Sequence, residues 1–206
     1  MGKFVNREAE LGFLSTQYKN DSAALVILYG RRRLGKTTLI HEFAKDKPFL
    51  YFLATEETEY LNMQAMKAEI AAYTKDELLS QAKVDNWDIL FQTLTKYMGK
   101  KRLVLVLDEF QYLGKANPAF PSIFQRVWEK HLRHKNLMVI LCGSLIHMME
   151  AQTLNYSSPL YGRRTGQIKL RQIDFQHYSE FFDGISYKKA IELYFTSSGY
   201  ILPASC

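Results

Sequence analysis

Disulfide chemistry is nearly out of reach for this chain, whose 206 residues include only two cysteines. Cys142 lies inside an apolar run and Cys206 is the last residue, so no disulfide framework is expected and a reducing cytoplasm is the natural compartment. Long apolar runs are missing too. No stretch approaches the ~20 apolar residues that a bilayer-spanning helix needs, so no membrane is expected as a partner. The longest runs, such as Leu103 to Leu107, suit buried strands instead. The N-terminal stretch Met1-Gly2-Lys3-Phe4-Val5-Asn6-Arg7-Glu8 lacks the apolar segment of a secretory signal. Internal repeats, low-complexity tracts and Pro/Gly/Ser-rich linkers are also lacking. What remains is one domain of ordinary globular composition, 47% hydrophobic and 23% charged, long enough to bury a substantial core.

Acid is the scarcer charge. The net balance is +6 and the isoelectric point is near 9.2, basic enough to raise nucleic acid as a partner. The cations gather at Arg31 to Arg33, Lys100 to Arg102, Lys130 to Lys135 and Arg163 to Arg171. No aromatic-interleaved basic motif accompanies them. The plainer reading is that some serve a bound polyphosphate and the rest are solvated surface.

What is present is alternation. Short apolar runs at Ala24 to Tyr29, Phe49 to Ala54, Leu103 to Leu107 and Leu137 to Cys142 read as strands covered on both faces. A shorter, more polar run at Gln167 to Leu170 reads as an edge strand. Between them lie stretches with helical spacing. Asp85 or Asn86 caps a helix carrying Trp87, Leu90, Phe91, Leu94 and Met98 on one face, and Ser122 caps another with Phe124, Val127, Trp128 and Leu132. Ser186 opens a third with Ala190, Ile191 and Tyr194. The aromatics read as core rather than a base-stacking platform. The fold class expected is doubly wound α/β.

Gly30-Arg31-Arg32-Arg33-Leu34-Gly35-Lys36-Thr37 matches the whole pattern of a phosphate-binding loop, between a strand ending at Tyr29 and a helix beginning near Lys36. Glycines let the backbone curl so that N–H groups point at phosphates, and the helix N-terminus adds its positive end. Lys36 supplies a compact cation for the β- and γ-phosphates, and Thr37, followed by Thr38, brings a hydroxyl to Mg2+. The three arginines lie outside the general pattern and are free to touch phosphate or a neighbour. The strand Leu103 to Leu107 then ends in Asp108-Glu109. Asp108 is expected to hold the ion, usually through water, and Glu109 to take a proton from the attacking water. Phe49 to Ala54 adds a strand between these two motifs in sequence, which suits the class that uses a catalytic glutamate. The strand Leu137 to Cys142 is expected beside both sites. After it come Gly143 and Ser144, whose hydroxyl either bonds the γ-phosphate or lytic water, or caps the next helix.

Taken in order, these segments resemble the archaeal-type ATPases, relatives of the AAA+ and STAND nucleotide switches. Phe4-Val5-Asn6-Arg7-Glu8-x-Glu10-Leu11 is similar to that family's opening segment. The phosphate loop is close to its wording. Leu107-Asp108-Glu109-Phe110-Gln111-Tyr112-Leu113 resembles its acidic motif, Gly143-Ser144 its polar sensor and Leu160-Tyr161-Gly162-Arg163-Arg164-Thr165-Gly166 its late arginine motif. The resemblance implies a P-loop NTPase three-layer α/β/α sandwich with a mainly parallel five-stranded sheet. It implies ATP as ligand, with Val5, Asn6 and Arg7 near the base or ribose. It also implies that Arg163 or Arg164, from this chain or from a neighbour in a homo-oligomer, meets the γ-phosphate. Residues 1–196 form the ATPase domain in this reading. The tail 197–206 departs from the family pattern where a helical lid would begin, as in a truncated chain or a shifted reading frame, and a DNA contact belongs to the winged-helix region beyond.

Three functions follow from these residues. One is an ATP-hydrolysing switch domain, another a non-catalytic nucleotide-binding fragment, and the third a nucleic-acid-binding module that works through its basic surface. No Asn-Lys-x-Asp run is present to read guanine, which disfavours a GTPase. A small-molecule kinase stays open, with no acceptor pocket identifiable.

Overall fold

Three strands are buried at every position: β1 (Ala24–Tyr29), β3 (Leu103–Asp108) and β4 (Leu137–Gly143). A strand covered on both faces must be apolar throughout rather than in alternation, and this is why these runs read as unbroken in sequence. β2 (Phe49–Leu53) and β5 (Gly166–Lys169) alternate between buried and more exposed positions and take the two edges. The sheet order is β2-β3-β4-β1-β5, with every pairing parallel. The computed structural model describes residues 5–181 and 184–196. The tail 197–206 and Phe4 of the opening segment lie outside the described residues.

The two faces of the sheet carry separate cores. Leu25, Ile27, Leu105, Leu107, Val139 and Leu141 face one side, under α3 (Glu59–Thr74), α5 (Trp87–Lys96) and α7 (Phe120–Val127). Trp87 meets Phe120 edge-on at 5.0 Å between ring centroids, and Phe124 meets Phe91 at 5.7 Å and Phe110 at 5.9 Å. These aromatics are core, as expected. The alternate residues Val26, Leu28, Val104, Val106, Ile140 and Cys142 face the other side, against Leu14 of α1 (Glu8–Lys19) and Leu39, Ile40 and Phe43 of α2 (Lys36–Ala44). With the short helices α4 (Glu77–Gln81), α6 (Gln111–Ala116) and α9 (Phe175–Tyr178), the result is the three-layer α/β/α sandwich with a parallel five-stranded sheet.

Helix starts were less legible than strands. Asn86, not Asp85, caps α5, accepting the Asp88 N–H at 2.7 Å. The helix ends at Lys96, so Met98 packs on the core from the following loop. Ser122 does not cap α7. That helix begins two residues earlier, with Pro121 in its first turn, where a missing N–H costs nothing. Ser186 does open α10 (Tyr187–Thr196), its hydroxyl accepting the Lys189 N–H at 3.3 Å. One basic run is partly structural: the buried Arg102 donates to the carbonyls of Asn20 and Ser22, tying the approach to β3 against the approach to β1.

Candidate functional site

The strand order places the motifs together. β4 runs between β1 and β3, so the loop after β1, the acidic end of β3 and the Gly143-Ser144 turn after β4 share the carboxyl end of the sheet. In a parallel sheet of this kind, ligands sit outside the carboxyl ends of the strands. Gly30 continues β1, its N–H donating to the Gly143 carbonyl at 3.3 Å. A Cβ at Gly30 would sit 2.6 Å from the Leu170 carbonyl oxygen, so only glycine lets the loop pass there. Arg33 and Gly35 adopt left-handed backbone at φ 64° and 83°. The two reversals curl the chain around the buried Leu34 and hand it to α2, a geometry in which backbone N–H groups converge on an anion.

Side chains complete the hollow. Lys36 is 7% exposed, and its Nζ donates to the carbonyls of Gly30 (2.8 Å) and Arg31 (3.0 Å), spanning the loop. Thr37 Oγ1 donates to Asp108 Oδ2 at 3.3 Å. Asp108 is 3% exposed, and its other oxygen accepts the Glu109 N–H at 2.8 Å. A cavity of about 240 Å³ is lined by Arg32, Arg33, residues 35–38, Asp108 and Glu109. A larger hollow of about 390 Å³ lies along residues 67–80, away from both motifs. The smaller cavity concentrates the chemistry. Its cations suit a polyphosphate, and the Thr37 hydroxyl beside the Asp108 carboxylate is an oxygen pair that could hold magnesium. Among the described residues no group of three or more His, Cys, Asp or Glu could cage a metal. Magnesium does not require one, because it keeps waters and phosphate oxygens in its shell.

Glu109 stands in left-handed backbone at φ 51°, a conformation that costs a non-glycine residue about 1–3 kcal/mol and persists only where the surroundings over-determine it. They do so here. The Phe110 N–H is anchored on the Cys142 carbonyl at 2.9 Å. Glu109 Oε2 accepts from the Ser144 hydroxyl (2.7 Å), the Ser144 N–H (3.3 Å) and the Gln111 amide. Ser144 therefore is not a helix cap: α8 (Ile146–Met149) has no side-chain cap, and the hydroxyl faces Glu109 instead.

The sequence assigns no role to two partners. Gln111, part of the acidic motif two positions after Glu109, is completely buried. Tyr51 of β2 donates its hydroxyl to Asp108 Oδ2 at 2.6 Å, a pairing set by the β2–β3 register rather than by spacing along the chain. Burial, then the hydrogen bond and charge of Asp108, push the phenol above its ordinary pKa, so it stays a donor. Burial likewise pushes the Cys142 thiol well up, with the Asp108 charge adding to it.

The remaining sequence candidates divide. Arg7 is buried, and its guanidinium donates to the carbonyls of Leu34 (3.3 Å) and Arg171 (2.7 Å) and pairs with Glu10 at 2.9 Å. It braces the phosphate loop, beside the buried Val5 and the left-handed Asn6. Of the loop arginines, Arg32 donates to the Tyr112 hydroxyl at 2.7 Å, and Arg31 is exposed and does not line the cavity. Arg163 and Arg164 are not brought to the cavity. Their loop precedes β5, so it lies at the amino end of the parallel strands, and a four-residue strand spans about 13 Å. Arg163 instead pairs with Glu129 at 3.2 Å, and Arg164 lies 4.9 Å over the Tyr161 ring.

Comparison with known proteins agrees with this geometry. Residues 4–196 match the profile of a family described as an ATPase domain predominantly from Archaea. The chain belongs to that family. An uncharacterised protein of Methanocaldococcus jannaschii is 33% identical over 196 residues, which is 95% of this chain and 42% of that protein, so the chain spans less than half of this relative's length. The Walker-type ATPase of Pyrococcus abyssi superposes with a TM-score of 0.65 at 21% identity, over 97% of this chain and 60% of that one. The Aeropyrum pernix ORC2 protein, solved in ADPNP–ADP complexes, gives 0.68 at 16% identity, over 93% and 53%. At such identities the likeness shows a shared fold. Among the described residues no helix is long and apolar enough to cross a membrane. This is an ATP-binding ATPase domain.

Proposed function

We propose that the domain binds Mg-ATP in the 240 Å³ cavity and hydrolyses it to drive a conformational switch. The observation that carries the reading is the convergence of Lys36, Thr37, Asp108 and Glu109, drawn from two separate motifs, on that one cavity. Lys36 and the curled backbone hold the β- and γ-phosphates, and Arg32 and Arg33 add charge at the rim. Thr37 and Asp108 hold magnesium, which, when bound, neutralises charge on the phosphate oxygens. Glu109 is the general base. Among the described residues all three donors to its carboxylate fall on Oε2, leaving Oε1 to accept a proton. The water oxygen bonds to the γ-phosphorus, its proton passes to Oε1, and the bond between that phosphorus and the β–γ bridging oxygen breaks, releasing ADP and phosphate. Val5 and Asn6 flank the base or ribose.

Lys36→Ala tests the cradle. The exchange removes the compact cation and should abolish most Mg-ATP binding in calorimetry while leaving the circular-dichroism spectrum unchanged. Unaltered affinity would refute the assignment of the phosphate loop. Turnover with and without magnesium separates a hydrolase from a non-catalytic nucleotide-binding fragment.

A further inference from the structure

Asp108 is held from outside the two sequence motifs. Tyr51 lies at the middle of edge strand β2, in register with Val106, and its hydroxyl reaches diagonally to Asp108 Oδ2 at 2.6 Å. The same oxygen receives the Thr37 hydroxyl at 3.3 Å, and Oδ1 receives the Glu109 N–H at 2.8 Å. The ring itself is fixed by its neighbours. Its centroid lies 5.3 Å from that of His41 on α2 and 6.0 Å from that of Phe49.

We infer that Tyr51 is a positioning residue for the magnesium-holding carboxylate, setting the side-chain rotamer in which Asp108 presents its free lone pairs to the cavity. The inference rests on the Mg-ATP reading above. A carboxylate has about four lone-pair sites on two oxygens, and its direction is decided by which of them are taken. The backbone N–H of Glu109 takes one on Oδ1. Thr37 is itself assigned to the ion, which leaves Tyr51 as the strong side-chain donor to Asp108 among the described residues, beside the Cys142 thiol, whose S–H is a weak donor. At 3% exposure Asp108 has almost no water to replace it. Outer-shell partners of this kind typically matter 10–100-fold to metal affinity, because an unheld ligand spends most of its time misdirected. The packing of Tyr51 on His41 also means that α2, which begins at the phosphate loop, and β2, at the sheet edge, jointly fix the ring.

Tyr51→Phe keeps the ring and its packing and deletes only the hydroxyl. Calorimetry of ATP binding across a magnesium series, and in EDTA, reads the effect. The expected result is unchanged affinity in EDTA and a rise of about tenfold in the magnesium concentration needed for half-maximal enhancement. In an Asp108→Asn background the same change should add almost nothing, since the hydroxyl acts through that carboxylate. Affinity lost equally with and without magnesium would mean that Tyr51 only shapes the cavity, and an unshifted magnesium series in a folded variant would remove its role altogether. A parent protein whose ATP binding ignores magnesium would instead sink the underlying reading, and Tyr51 with it.

Discussion

At the scale of single residues, the site depends on how Glu109 is held. Its left-handed backbone and its three donors on one oxygen define one orientation for the free oxygen. Glu109→Gln preserves shape but removes proton acceptance, so nucleotide affinity should persist while turnover is lost; steady-state phosphate release at parental rate would exclude Glu109 as the base. Gln111→Ala tests the holding rather than the chemistry. It should lower kcat by roughly 10–100-fold with little change in ATP affinity, and a fall in affinity of the same size would show that Gln111 acts on the cavity wall instead. The phosphate loop and Asp108-Glu109 were legible because their function demands fixed residue types at fixed spacing. Tyr51 was not, because a cross-strand neighbour has no spacing rule, and Gln111 stands in the acidic motif with nothing in the spacing to say that its amide turns back to Glu109. Ser144 was half legible: its position was found, but whether its hydroxyl capped a helix or faced the site was decided only by the fold.

At the scale of elements, continuous apolar runs identified β1, β3 and β4 within one residue of their observed ends, since burial on both faces leaves no room for polar interruption. The edge strand β5 lies one residue before the run Gln167 to Leu170 that marks it, and α7 begins two residues before Ser122, because half-exposed positions and a proline in the first turn blur the pattern. Phe124 shows what the helical layer contributes. It is completely buried, and its ring meets those of Phe91, Phe110 and Phe120. Phe124→Ala should therefore cost about 3–5 kcal/mol through lost transfer energy and the cavity left behind. Urea denaturation followed by tryptophan fluorescence would measure it, and a loss below about 1 kcal/mol would mean that the layer collapses to fill the gap. Because Phe110 directly follows Glu109, the variant should also loosen the base and lower turnover before the fold is lost.

For the whole molecule, the parallel sheet gives the domain two unlike ends. The phosphate loop, Asp108, Glu109 and Ser144 lie at the carboxyl ends of the strands, while Arg163 and Arg164 lie before β5 at the other. Neither arginine can serve its own chain's cavity without refolding β5, so any contact of theirs with a γ-phosphate must be made across an interface with a second copy. The Glu129 pairing of Arg163 is no obstacle, since a part-exposed ion pair is worth only about 0–1 kcal/mol. The expected outcome is turnover per chain that rises with protein concentration. Mixing chains carrying Arg163→Ala and Arg164→Ala with chains carrying Glu109→Gln gives the sharper measurement. The first variant keeps a working base and the second keeps its arginines, so an interface that sets the first chain's cavity against the second chain's arginines regains activity that neither has alone. Under conditions where sedimentation shows the two variants assembled together, an absence of rescue would exclude a role in trans. With the geometry already against a role in cis, both arginines would then be surface residues of the approach to an edge strand.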